Sequence, residues 1–316
     1  MTFTRIAIGD ALSVLRQLPS ESVHSLITSP SYWQQRDYEV DGQIGLEATP
    51  EEYLDRLIQV FDEARRVLRP DGTAWVVLGD TYVRKCLMLL PGRFGSAMIA
   101  REWICRNRII WHKPNPIPAS ATDRFTVDHE EVYFFTKNSR YYFKQQFVPY
   151  KKSTRQRVRQ FLRNGERLDG TRHKDYEGQG SMAVLERLAH KNLHVSGRSV
   201  HSMHRRRANG EGEPALRPEG ANMPAVWTIA VGRCRELHFA GYPEQLVKIA
   251  VLAGCPEGGI VLDMFSGAGT TGIVCERLGR SFLGIELNPE YVKIAQRRIR
   301  EARETGHGQA GARVGG

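Results

Sequence analysis

Apolar and polar positions alternate with two different periods along this chain. Residues 5–9 (RIAIG) form a short β-rich run closed by Gly9-Asp10, and residues 11–18 carry helical spacing. Residues 23–29 (VHSLITS) alternate with period two and predict a second strand. Thr49-Pro50-Glu51-Glu52 has the makeup of a helix start, with proline in the first turn and acids at the positive end of the dipole. Tyr53, Leu54, Leu57, Ile58, Phe61, Ala64, Val67 and Leu68 then keep helical spacing. Pro70-Asp71-Gly72 predicts a turn and residues 73–79 a buried strand. A helix is expected over 96–107 and a strand over 108–112. The segment from Lys113 to Pro118 is too proline-rich for either. Residues 130–136 and 140–143 predict two strands around Lys137-Asn138-Ser139.

The rhythm breaks over residues 151–221, which are polar, rich in Gly, Ser and Arg, and poor in periodicity. It resumes with a helix at 243–253, a strand at 259–264, a helix at 270–278, a strand at 281–286 and a basic amphipathic helix at 289–303. Glycines from residue 305 onward predict a disordered tail. Strands and helices in alternation imply an α/β fold with a doubly wound, mostly parallel sheet. The expected organisation is one domain split into halves, 1–150 and 222–303, around a 151–221 insertion, with a tail at 304–316.

Charge sharpens the division. The net charge is +10, and residues 151–220 hold 16 Lys+Arg against 8 Asp+Glu, an excess of eight in one window. The same window carries five of the ten histidines. Such a concentration fits contact with a polyanion. No apolar stretch approaches the ~20 residues of a membrane span, and the first residues lack a signal-like apolar core, so a cytoplasmic protein is expected. The cysteines, Cys86, Cys105, Cys234, Cys255 and Cys275, are odd in number and form no CxxC pair, which speaks against a disulfide framework or a zinc site.

Two runs stand at predicted strand ends, where ligands bind in such sheets. The first is Thr28-Ser29-Pro30-Ser31-Tyr32-Trp33. The second is Asp263-Met264-Phe265-Ser266-Gly267-Ala268-Gly269-Thr270-Thr271, a strand, a glycine turn and a helix, followed by a strand ending at Glu286. Its glycines let backbone approach a ligand, and Glu286 can take ribose hydroxyls. Gly267, Gly269 and Gly272 also satisfy GxGxxG, so the pattern alone fits an ordinary βαβ turn, a dinucleotide site or a methyl-donor site. Asp263 tips the balance, because a cationic sulfonium amino acid wants an acceptor there and a pyrophosphate does not.

Taken together, these runs resemble the β-group of DNA amino methyltransferases. Ser29 to Trp33 resemble its (S/D)PP(Y/F) catalytic motif, and Asp263 to Thr271 its DPFxGSGTT loop. Gly9-Asp10, the His238–Pro243 loop and the Trp111–Pro116 segment resemble further family elements, in the family's order. Gly42 to Glu47 and Leu68 to Gly72 also look like family segments. Ser31 and Met264 depart from the pattern, each standing where the family has a proline.

The resemblance implies a seven-stranded Rossmann-like methyltransferase fold, S-adenosyl-L-methionine as donor, and double-stranded DNA as substrate, with 151–221 as target-recognition region. A cognate restriction endonuclease and a second copy in a homodimer are the implied protein partners. Asp10, His238, Asp263, Phe265, Gly267, Gly269, Thr270, Thr271 and Glu286 would bind the donor, although Asp10 equally suits a helix cap. Ser31, Trp33, Lys113 and Asn115 would line the target-base pocket. Arg155, Arg157, Arg159, Arg205, Arg206 and Arg207 would contact phosphates.

Chemistry fits this assignment. An exocyclic amino lone pair is delocalised into its ring, so acceptors must draw on its protons while a flat group holds the base. Ser29 Oγ and the Pro30 carbonyl can accept, and Tyr32 can stack on a flipped base. Serine at the first motif position favours cytosine N4 over adenine N6. Cytosine C5 chemistry needs a thiolate, usually beside proline, and no cysteine follows one here. The rival readings are an inactive nucleic-acid-binding module with the same fold, kept alive by Ser31 and Met264, and an RNA or small-molecule methyltransferase.

Overall fold

The computed structural model describes residues 2–116, 120–154, 219–231 and 241–311, with side chains as far as residue 305. In chain order the elements are β1 (Thr4–Ile8), α1 (Ala11–Leu15), β2 (Val23–Thr28), α2 (Pro50–Val67), β3 (Leu68–Leu78), β4 (Tyr82–Val83), β5 (Cys86–Leu87), α3 (Leu90–Ala100), β6 (Ile104–His112), β7 (His129–Thr136), β8 (Phe147–Val148), β9 (Ala221–Asn222), β10 (Val226–Thr228), α4 (Glu244–Gly254), β11 (Ile260–Asp263), α5 (Thr270–Leu278), β12 (Ser281–Glu286) and α6 (Pro289–Gly311).

The chain divides into two compact units, residues 1–146 with 224–316, and residues 147–223. Within the smaller unit, β8 and β9 pair antiparallel. The larger unit is built on one sheet in the order β1-β12-β11-β2-β3-β7-β6-β10. All its ladders are parallel except the two that β7 makes. This is the expected doubly wound, mostly parallel architecture, with eight strands rather than seven because three-residue β10 adds an edge beside β6.

Local chemistry explains the elements that the pattern predicted. Thr49 and Glu52 form a reciprocal capping box at the start of α2, with Pro50 in its first turn. The apolar stripe of α2 is buried, and Phe61 packs edge-to-face on Phe94 of α3 at 5.1 Å. The β11–α5–β12 unit has its helix and second strand at the expected bounds.

Four elements differ from expectation. Pro70-Asp71-Gly72 is not a turn ahead of a strand at 73; it bulges inside β3, between the pairs Val23↔Leu68 and Ser25↔Thr73. Helix α3 starts at Leu90 and ends at Ala100, earlier than 96–107, and the chain enters β6 at Ile104. Gly92 and Gly95 mask this helix in the sequence, and Gly95 is required there because a Cβ would lie 2.7 Å from the Tyr133 ring. Residues 140–143 are not a strand, because β7 already pairs on both edges, with β3 and β6. Instead Tyr141 and Phe143 pack on Phe134, at 5.8 and 5.6 Å between ring centroids. Helix α6 runs on to Gly311, beyond the expected end at 303. No helix among the described residues is long and apolar enough to cross a membrane, and no cluster among them is placed to hold a metal ion.

Candidate active site and its relatives

The sheet order puts β2 and β11 side by side at the point where the winding reverses. The chain leaves β2 toward β3 and leaves β11 toward β12, so the two strand ends open a crevice between diverging loops. Both runs singled out above sit there.

One carboxylate joins the two ends. Asp263 closes β11 and is 1% exposed. Its Oδ1 accepts from Thr28 Oγ1 at 2.7 Å and from the Phe265 amide at 3.2 Å. Its Oδ2 accepts from the Tyr242 hydroxyl and Thr271 Oγ1, both at 2.7 Å. Burial pushes its pKa up, against the opposing pull of these donors. With four internal donors and 1% of its surface exposed, Asp263 is a brace between the end of β2 and the glycine loop. Thr271, fully buried and turned to Asp263, belongs to the same brace. Thr28 and Tyr242 complete it; both stand in runs that the sequence singled out, but no signal there marked either as a partner of Asp263.

The glycine loop fits a nucleoside-bearing ligand. Gly267 has φ +49°, and a Cβ there would meet nothing within 4 Å, so the inner side of the loop is open. Gly269 has φ +80°, and a Cβ there would lie 2.7 Å from that of Ala295, so close packing on α6 demands glycine. The buried Ser266 Oγ has no hydrogen-bond partner in the chain. Glu286, at the end of β12, accepts from the Gly267 amide at 2.7 Å through Oε2 and from the Asn288 amide at 2.8 Å through Oε1. Burial raises its pKa. Each oxygen keeps a lone pair for a ribose hydroxyl. Phe265 and Thr270 are partly exposed beside the loop. Asp10 caps α1, with Oδ2 accepting from the Ser13 amide at 2.9 Å. His238 lies outside the described residues, as do Arg155, Arg157, Arg159, Arg205, Arg206 and Arg207.

On the catalytic side, hydrogen bonds run in one direction. Ser29 Oγ donates to the Tyr32 hydroxyl at 3.4 Å, and that hydroxyl donates to Glu130 Oε2 at 2.7 Å. Lys113 Nζ pairs with Glu130 Oε1 and lies 4.7 Å from the centroid of the Trp111 ring. Burial, then the Glu130 charge, hold the Tyr32 hydroxyl well above the ordinary tyrosine pKa, so it stays a neutral donor. The Tyr32 ring lies against Gly79, where a Cβ would come within 2.5 Å of it. Glu130 was legible only as part of a strand, although Lys113 implied a counterion.

Trp33, expected at the base pocket, is 3% exposed in the core, and its Nε1 donates to the Glu47 carbonyl at 2.8 Å. Asn115 is exposed and accepts from the Val231 amide at 3.1 Å. The Ser31 carbonyl accepts from the Tyr53 hydroxyl at 2.9 Å. Met264, 1% exposed, packs into the core. Each residue that stands in place of a family proline is therefore tied to neighbours, one by a backbone hydrogen bond and one by burial.

The comparisons agree with this geometry. The N6/N4 DNA methylase family model matches residues 23–297. The type II methyltransferase M.Cfr9I of Citrobacter freundii is 33% identical over 320 residues, covering 92% of this chain and 86% of the relative. M.SmaI of Serratia marcescens is 30% identical over 326 residues, covering 93% and 90%. Among solved structures, the cytosine-N4-specific PvuII DNA methyltransferase superposes with a TM-score of 0.57 at 19% identity, over 97% of this chain and 93% of its own. A DNA modification methylase of Thermus thermophilus in complex with S-adenosyl-L-methionine gives 0.56 at 22%, over 95% and 96%. A Rossmann-like sheet, a glycine loop open to a nucleoside and a family match over most of the length lead to one conclusion: this chain belongs to the N6/N4 DNA methylases and is an S-adenosylmethionine-dependent DNA methyltransferase.

Proposed function

We propose that the enzyme methylates the exocyclic N4 of a cytosine swung out of double-stranded DNA. The orientation of Ser29 carries this reading. Its hydrogen is directed to Tyr32, so its Oγ lone pairs remain to accept a proton of the target amino group. Together with the Pro30 carbonyl, Ser29 draws the amino lone pair out of conjugation. Tyr32, with one side against Gly79, presents its ring to the base. S-adenosylmethionine supplies the electrophilic methyl group. Glu286, Gly267, Phe265 and Thr270 hold the donor, Asp10 flanks it beside β1, and the Asp263 brace fixes the distance between the two loops. Serine at the first position of the catalytic motif favours cytosine N4 over adenine N6.

The basic region 151–221 is assigned to phosphate contact and target recognition, through its arginines. The type II names of the relatives support a cytoplasmic restriction–modification setting, with a cognate endonuclease as partner.

The test is to sequence DNA from cells expressing wild-type protein or Ser29→Ala, with detection of modified bases. N4-methylcytosine at one recognition sequence, lost in Ser29→Ala, is expected. N6-methyladenine would overturn the base assignment, and equal marks in both strains would overturn the role of Ser29.

A further inference from the structure

Methylating a neutral amino group produces a cation, which must shed one proton before the product leaves. The hydrogen bonds beside Ser29 already point along a path for it. We propose that Glu130 is the terminal acceptor of that proton, reached from the amino nitrogen through Ser29 Oγ and the Tyr32 hydroxyl. This rests on the reading of Ser29 given above.

The step balances. As the N–C bond forms and the donor's C–S bond breaks, one N–H proton passes to Ser29 Oγ. The Ser29 proton passes to Tyr32 Oη over 3.4 Å, and the Tyr32 proton passes to Glu130 Oε2 over 2.7 Å. Both hydroxyls end as they began. The carboxylate ends as a carboxylic acid, and the sulfonium charge is lost with the methyl group, so the site keeps its net charge. Tyr32 never has to ionise for long, which suits a hydroxyl that burial keeps neutral.

Glu130 is built for this task. It stands near the start of β7, at the same sheet end as the catalytic loop after β2, since β7 runs antiparallel to β3. Its side chain is 17% exposed. Lys113, from the segment after β6, holds Oε1 and leaves Oε2 aimed at Tyr32. No other charged group competes along the strand. His129 bonds Asp128, and Glu131 bonds the Tyr133 hydroxyl and lies 3.6 Å from Arg108. Glu130 touches no substrate atom in this scheme. It positions Tyr32 and receives a proton through it.

The experiment compares the full-length wild type with Glu130→Gln and the near-isosteric Tyr32→Phe. Single-turnover methylation of a duplex is measured in H2O and in D2O, and donor affinity by tryptophan fluorescence. Both variants should lose on the order of a hundredfold in rate, the scale of a general base, with donor affinity unchanged. The wild-type rate should carry a solvent isotope effect from the relayed protons, and this effect should be reduced in Glu130→Gln. Glu130→Asp should restore part of the rate and of the isotope effect.

A purely structural Glu130 would predict altered donor affinity with the isotope effect intact, and that result overturns the proposal. So does a Tyr32→Phe variant at wild-type rate. Ser29→Ala separates the two readings. If it is inactive while Glu130→Gln is fully active, the proton path alone fails. If it is fully active, the underlying reading fails.

Discussion

The two strand ends that make the crevice are held by opposite means. The cofactor end is fixed by what lies inside it: a buried carboxylate with four donors and a glycine packed against the neighbouring helix. The catalytic end is fixed from outside, by the Tyr53 hydroxyl reaching in from α2 and by the ion pair of Lys113, just after β6, with Glu130 of β7. The first arrangement cannot adjust without breaking several buried bonds. The second can move one partner at a time. A ligand common to every turnover suits the rigid end, and a base that must enter and leave suits the adjustable one. The single bond from Thr28 to Asp263 keeps the two in register.

The largest effect should come from cutting that register. Asp263→Ala leaves the buried Thr28 Oγ1 and the part-buried Phe265 amide without partners, while Tyr242 and Thr271, 2.5 Å apart, still satisfy each other. Two orphaned groups at about 1–3 kcal/mol each predict a loss of roughly 2–6 kcal/mol in unfolding free energy, measured by urea denaturation. Donor binding and methylation should fall together. Loss of methylation with normal donor affinity would mean that the brace serves the catalytic end alone.

Next in size is the donor contact. Burial raises the Glu286 pKa above its ordinary value of 4.5. The carboxylate, the stronger acceptor for ribose hydroxyls, is present above that raised value and is lost as pH falls through it. Donor affinity should therefore weaken on acidification in a window lying above 4.5. Glu286→Gln should bind about tenfold more weakly at neutral pH, equivalent to about 1.4 kcal/mol, and show no such pH dependence by calorimetry. A wild-type affinity that is flat across the same window would remove Glu286 from the donor site.

How much of this was legible beforehand follows from the same contrast. The βαβ unit around Asp263 announced itself, because its glycines and its period changes are local signals. The neighbouring placement of β2 and β11 was legible only as two strand ends of the right kind. The burial of Asp263, Thr271 and Trp33 was not legible, because a polar or aromatic residue in a motif looks the same whether it faces ligand or core. Burial separates them, and burial comes from partners remote in sequence: Thr28 lies 235 positions from Asp263. Glu130 was hidden for the same reason, lying 98 positions from the Tyr32 hydroxyl it accepts from. The helix over Leu90–Ala100 was displaced in expectation because Gly92 and Gly95 lower local propensity, and at Gly95 the Tyr133 ring demands glycine.

The smallest effect tests the adjustable end by itself. Tyr53 sits on α2 with its ring buried and its hydroxyl on the Ser31 carbonyl. Burial keeps that hydroxyl protonated, so it donates at every working pH. Tyr53→Phe preserves the packing and removes one hydrogen bond, worth about 0.5–1.5 kcal/mol of stability. Thr28, just before the loop, would still be held by Asp263, so the loop should loosen rather than collapse. Methylation should slow a few-fold while donor affinity stays unchanged, because no hydrogen bond of Tyr53 reaches the Asp263 brace. Equal losses in rate and donor affinity would show that the two ends are one rigid body, and that serine at position 31 gives the catalytic loop no freedom of its own.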